Sequence, residues 1–115
     1  MGQEISTIGA ESALGKRLSN IHRQEHYQLA YDGKAYPLSE RITIGRGPEN
    51  QISLDDSLVS RQHAIIQKIQ EAFFITDRDS RNGTWVNDAP VPPGKYIRLS
   101  RNDRIVVGRT ELRVF

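Results

Sequence analysis

Cysteine is absent from the 115 residues, which excludes a disulfide framework, a zinc ribbon and thiol catalysis and leaves stability to packing alone. No apolar run approaches the roughly 20 residues that a membrane helix needs, and no short apolar segment follows a basic start. A soluble, cytoplasmic protein without membrane partners is therefore expected. Aromatic residues make up only 7% of the chain. Several stand inside strand-like runs, where they are expected to fill the core, so a barrel that stacks nucleic-acid bases along a basic groove is poorly supported. Nothing repeats at a fixed period, and no low-complexity stretch appears apart from a mildly biased beginning.

What is present suits one globular domain. Hydrophobic residues account for 37% and charged residues for 26%, a balance that permits a core and argues against wholesale disorder. Lys and Arg together number 16 against 14 Asp and Glu, a formal charge of +2, and 12 of the 16 are Arg. The planar guanidinium grips carboxylate or phosphate bidentately, so this excess of Arg over Lys points to an anionic partner. Duplex DNA binders carry a larger basic excess or a concentrated basic helix, and neither occurs here.

Residues 1–25 are small, polar and sparsely apolar, and are expected to form a flexible tail, with the folded domain covering 26–115. From Tyr27 the pattern changes to short β-type runs. Tyr27 to Tyr31 alternates with period two, Asp32-Gly33 is a strong hairpin signal, and Lys34 to Leu38 is the return. Further runs are Arg41–Gly45, Gln51–Leu54, His63–Ile69, Phe73–Asp77, Thr84–Val86, Tyr96–Leu99, Arg104–Val107 and Glu111–Phe115, each bounded by Gly, Pro, Asn, Asp or Ser clusters. About ten short strands without a convincing helix predict an all-β sandwich or barrel.

Four short motifs invite a specific chemistry. His22-Arg23-Gln24-Glu25-His26 fits the H-x-x-E-H string of zinc proteases, but such a site needs a long helical scaffold that a β-rich chain lacks, so no metal and no cofactor are expected. Ser60 and His63 suggest a hydrolase, yet no G-x-S-x-G elbow surrounds the serine, and a turn held by Ser and His hydrogen bonds is the better reading. Gly45-Arg46-Gly47 is no Walker loop, since G-x-x-x-x-G-K-[ST] and its helix are missing. Met1-Gly2-Gln3-Glu4-Ile5-Ser6 satisfies the loose myristoylation string, which decides nothing about location. No enzymatic activity is expected.

There remain Gly45-Arg46, Ser60-Arg61-Gln62-His63, Ser80-Arg81-Asn82-Gly83-Thr84 and Asn87, all at strand ends or in turns. Singly, each is explained by turn geometry, solvation or loop hydrogen bonds. In a sandwich, however, the loops at one end come together, so Arg46, Ser60, Arg61, Arg81 and Asn82 can converge. Several Arg, a hydroxyl and an amide with no carboxylate among them suit a phosphate dianion.

These residues, with the closing Leu99-x-x-x-Asp103 segment, make the sequence from about Tyr27 to Phe115 resemble a forkhead-associated (FHA) domain. The resemblance implies a β-sandwich of about eleven strands whose apical loops bind phosphothreonine peptides without catalysis. Its partners would then be phosphothreonine-containing proteins of a Ser/Thr-kinase pathway; a phospho-independent assembly domain of the same fold is the alternative. Carried over by position, Arg46 and Ser60 contact the phosphate, Arg61 assists, and Asn82 holds the peptide backbone just after the phosphothreonine. Gly45, His63, Gly83 and Asn87 shape and brace the loops. Arg81 stands where many members have a small hydroxyl residue, and adds positive charge. Asn102 replaces a common Gly before Asp103, which Asn tolerates because it is at ease with positive φ. Some members are controlled by a phosphorylated threonine in an N-terminal extension, and Thr7, the only threonine in residues 1–25, is the candidate here.

Overall fold

The computed structural model describes residues 27–115. The expected tail, with the myristoylation string, Thr7 and His22-x-x-Glu25-His26, lies outside the described residues. Those described form eleven strands: β1 Gln28–Tyr31, β2 Lys34–Pro37, β3 Arg41–Gly45, β4 Ile52–Ser53, β5 Ala64–Ile69, β6 Ala72–Asp77, β7 Thr84–Val86, β8 Ala89–Pro90, β9 Ile97–Arg98, β10 Arg104–Val107 and β11 Thr110–Val114. They pair into a six-stranded sheet, β2-β1-β11-β10-β7-β8, and a five-stranded sheet, β4-β3-β5-β6-β9. All pairs are antiparallel except β3 with β4. No helix among the described residues is long and apolar enough to cross a membrane.

Period-two alternation explains the two layers. In β3, Ile42 and Ile44 are buried while Arg41 and Thr43 face outward; in β10 and β11, Ile105, Val107, Leu112 and Val114 are buried in the same alternate manner. These inward rows meet in one core, which burial of branched aliphatic side chains stabilises by roughly 1.5–3 kcal/mol each. The aromatics divide differently from expectation. Phe73 alone among them is buried in the core, and Tyr27, Tyr31 and Tyr36 pack on its edge half-exposed. Rings this large, three of them bearing hydroxyls, seal a small sandwich better than they fill it.

Turn chemistry agrees with the backbone. Asp32 and Gly33 both have positive φ, 54° and 73°, as a type I′ hairpin requires. Asn102 does adopt positive φ, 73°. Strand β8 is the element that strand-type runs did not reveal. It has only two residues, one of them Pro, and exists because Asn87 and Asp88 at φ 51° and 70° fold the chain back onto β7; proline is tolerated there because β8 is an edge. Strands β4 and β9 are shorter than their apolar patterns, two residues each, with their flanks in loops.

The registers place one set of loops at a single end. Ile44 lies opposite Ala64 and Ala64 opposite Asp77 in the five-stranded sheet; Val107 lies opposite both Thr84 and Thr110 in the six-stranded sheet. The β3–β4, β4–β5, β6–β7 and β10–β11 connections all leave from these positions.

Candidate functional site

Two sheets that meet only through side chains leave their connecting loops to find partners for exposed backbone groups. At this end, buried polar residues supply them. His63 is fully buried. Its Nδ1 accepts the Ser60 backbone N–H at 2.9 Å, so Nδ1 carries no proton and Nε2–H donates to Gly83 O at 2.7 Å. One ring thus ties the β4–β5 loop to the β6–β7 loop. Gly83 takes up φ 90° to present that carbonyl, a conformation that a side chain would strain.

Asp77, 3% exposed, organises the β6–β7 loop. It accepts the Ser80 backbone N–H at 2.9 Å, the Ser80 hydroxyl at 2.6 Å and the Thr84 hydroxyl at 2.7 Å, while Ser80 Oγ accepts the Gly83 N–H at 2.9 Å. Burial, the largest influence, pushes the Asp77 carboxyl up, but the bonds from Ser80 and Thr84 together outweigh it and hold it below the ordinary 3.8. Asn50 does similar work for β3–β4. Buried at 8% exposure, it donates through Nδ2 to Gly47 O at 2.7 Å and to Arg61 O at 2.8 Å. Arg46 N–H and Gly47 N–H donate to Ser60 O and Arg61 O. This packing leaves no room for a side chain at Gly45, where a Cβ would stand 2.3 Å from Arg61 O.

On this frame Arg46, Ser60, Arg61, Arg81 and Asn82 line one cleft of about 310 Å³, together with Ser57, Leu58 and Val59. Arg46 Nε–H donates to Val59 O at 3.0 Å, which aims the guanidinium and leaves its terminal N–H groups for a ligand. Ser60 Oγ accepts the Arg81 backbone N–H at 2.9 Å, so its own proton remains to be donated. Asn82 gives one amide proton to Leu58 O at 2.8 Å and keeps the other proton and Oδ1 free. Arg61 is turned partly aside by Glu49, 3.7 Å away. Among the described residues no carboxylate lines the cleft. A second cleft of about 310 Å³, on the outer face of the five-stranded sheet, is lined by Glu49 as well as by Arg41 and Arg78 and is the poorer anion site.

The geometry does not support serine hydrolysis. His63 accepts the backbone N–H of Ser60 rather than its hydroxyl, and its other nitrogen is engaged by Gly83 O, so no base stands ready beside Ser60 Oγ. Among the described residues no group of three His, Cys, Asp or Glu could hold a metal ion.

Of the sequence-predicted residues, the five cleft residues converge, and Gly45, His63 and Gly83 lie directly beneath them. Asn87 does not join them. It sits at the other end of β7, roughly 13 Å along the strand from Gly83, where it donates to Asp103 Oδ1 and accepts the Arg104 N–H, both at 2.9 Å. It braces the β7–β8 turn. Asn50 and Asp77 carry the frame without having been singled out. For Asp77 the signal was present as Asp-x-x-Ser, a spacing at which a carboxylate reaches the backbone three residues on; Asn50 stands among ordinary turn residues, and only its burial distinguishes it.

Comparison with known proteins agrees with the motifs. The FHA domain model matches residues 42–108, and the chain belongs to the FHA domain family. It is 41% identical over 101 residues to protein FraH of Nostoc sp., covering 81% of this chain and 35% of that protein. It is 37% identical over 81 residues to the glycogen accumulation regulator GarA of Mycobacterium tuberculosis, covering 70% of this chain and 48% of the relative. The chain therefore spans less than half the length of these curated relatives. A solved structure from work on phosphothreonine-dependent FHA domain interactions superposes with a TM-score of 0.72 at 36% identity, covering 78% of this chain and 95% of the other.

Proposed function

We propose that this domain binds phosphothreonine-containing segments of partner proteins in a Ser/Thr-kinase pathway, without catalysing a reaction on them. One observation carries the reading: Arg46, Ser60 and Arg81 converge on a cleft that, among the described residues, no carboxylate lines. There Arg46 supplies a bidentate charged fork, Ser60 a hydroxyl proton and Arg81 further charge to a phosphate dianion. Asn82, with one N–H and Oδ1 unspent, can donate to and accept from the ligand backbone beside it. The relation to a structure described as phosphothreonine-dependent supports the same assignment. A cytoplasmic location belongs to this proposal.

The test is capture of partners from lysate by the purified protein, with and without phosphatase treatment, followed by mass spectrometry of bound phosphosites. Phosphatase-sensitive capture of phosphothreonine sites is expected. Capture that survives phosphatase would overturn the reading in favour of phospho-independent assembly.

Thr7, outside the described residues, belongs to this proposal as an internal ligand. About 20 residues separate Thr7 from β1, and a tether of that length can give an effective concentration up to about millimolar. Phosphate installed at Thr7 should weaken binding of an external phosphothreonine peptide; unchanged affinity would rule self-binding out.

A further inference from the structure

We infer that Asp56 is a positioning residue for Arg46, passing to that guanidinium the placement of the β10–β11 turn on the opposite sheet. The inference rests on the phosphate-binding role proposed for Arg46.

Three sets of contacts form the link. Asp56 Oδ2 accepts the Arg109 N–H and the Thr110 hydroxyl, both at 2.8 Å, from residues 53 and 54 positions further along the chain. Asp56 Oδ1 accepts the Leu58 N–H at 2.9 Å, and its backbone carbonyl accepts the Val59 N–H at 2.9 Å. The short turn 56–59 is therefore held at both ends by one residue. That turn delivers the Val59 carbonyl, which accepts the Arg46 Nε–H at 3.0 Å. Gly108 allows the turn to seat directly on this assembly: at φ 60°, a Cβ there would lie 2.8 Å from Asp56 Oδ2 and 2.9 Å from Val59 Cγ2.

Arg46 gains most from such a link. It is exposed, and a free arginine carries rotamer entropy that a ligand would have to overcome. A carbonyl held in place beforehand fixes Nε and points the rest of the fork at the cleft, so less ordering remains when the anion arrives. Were Asp56 only a brace for the β4–β5 loop, its loss would destabilise the domain with no particular effect on Arg46.

The experiment compares wild type with Asp56→Asn in the full 115-residue protein. Asn keeps the shape and one acceptor but turns an NH2 toward Arg109 and Thr110. In the ligand-free protein, solvent exchange of the Arg46 Nε–H, followed by NMR, should quicken at least about threefold, while amides within β3 and β5 stay protected. Affinity for a phosphothreonine peptide should fall about tenfold, but less than about twofold in an Arg46→Lys background, whose side chain has no Nε–H to place. Unchanged Nε–H exchange, or equal losses in both backgrounds, would overturn the inference. If Asp56→Asn does not fold, Thr110→Val removes one of the three side-chain bonds, and unchanged Nε–H exchange in that variant overturns it equally. A wild-type protein that binds no phosphothreonine peptide would sink the phosphate reading; the Nε–H measurement, made without ligand, decides the Asp56 link on its own.

Discussion

The Ser60 backbone N–H points at Nδ1 of the buried His63, 2.9 Å away, while the Ser60 hydroxyl accepts the Arg81 N–H and faces the cleft. Two residues three apart thus divide their work: His63 holds the loops, and Ser60 keeps a hydroxyl proton turned to the cleft. His63→Ala should lower thermal stability and binding together, because it frees the Ser60 N–H and Gly83 O inside the structure, at about 1–3 kcal/mol each. Ser60→Ala should weaken phosphopeptide binding with a much smaller change in melting temperature. Melting curves and titrations on the two variants decide this, and equal melting losses would mean that Ser60 is a brace as well.

The Arg46 side chain is exposed and, among the described residues, hydrogen-bonds to the protein through Nε alone, so truncating it should leave the fold intact. Arg46→Ala is expected to cost on the order of 2–5 kcal/mol of phosphopeptide binding. Arg46→Lys should recover only part of that, since an ammonium cannot reproduce the fork. Calorimetry on the folded variants is the check, and wild-type affinity in Arg46→Ala would remove Arg46 from the site.

Phosphothreonine should be preferred to phosphoserine. Leu58, 36% exposed, gives the cleft an accessible apolar side chain, and one well-packed methyl group is worth roughly 1–3 kcal/mol. A matched peptide pair should differ about tenfold or more in Kd. Near-equal affinities would show that Arg81, at a position where the family often has a small residue, has removed the methyl niche.

Acid should unfold the domain through its loop carboxylates. Asp56 is held below 3.8 chiefly by the Leu58 N–H, with the Thr110 hydroxyl and the Arg109 N–H, against a smaller upward push from burial; Asp77 is also lowered, by the bonds from Ser80 and Thr84 acting against burial. A carboxyl whose folded pKa is depressed contributes stability that is present above its unfolded pKa and lost as pH falls through the folded one. Melting temperature should therefore be level from neutral pH down to about 5 and drop below about 4. Asp77→Asn should melt lower at pH 7 yet lose less on acidification. An equal acid slope in wild type and Asp77→Asn would show that Asp77 contributes nothing to it.

Much of this protein is local and can be read from its residues. Alternation at Ile42 and Ile44 or Ile105 and Val107 sets which face of a strand is buried, because side chains in a strand point alternately to its two faces. Asp32-Gly33 and Asn102 sit where backbone dihedrals demand them, and Arg46, Ser60, Arg81 and Asn82 could be picked out as phosphate-type chemistry at loop positions. Strand β8 could not be read so, since two residues ending in Pro have no pattern of their own and owe their pairing to the turn before them. What only the tertiary structure decided is which of those loops share an end. Ile44, Ala64 and Asp77 align in one sheet and Val107, Thr84 and Thr110 in the other, and that alignment gathers the cleft while sending Asn87 away from it. It also gives Asn50, Asp56 and Asp77 their parts. Whether a polar side chain is a solvated turn residue or a brace depends on what the folded chain brings within 3 Å of it, and for Asp56 those partners, Arg109 and Thr110, lie half the chain away.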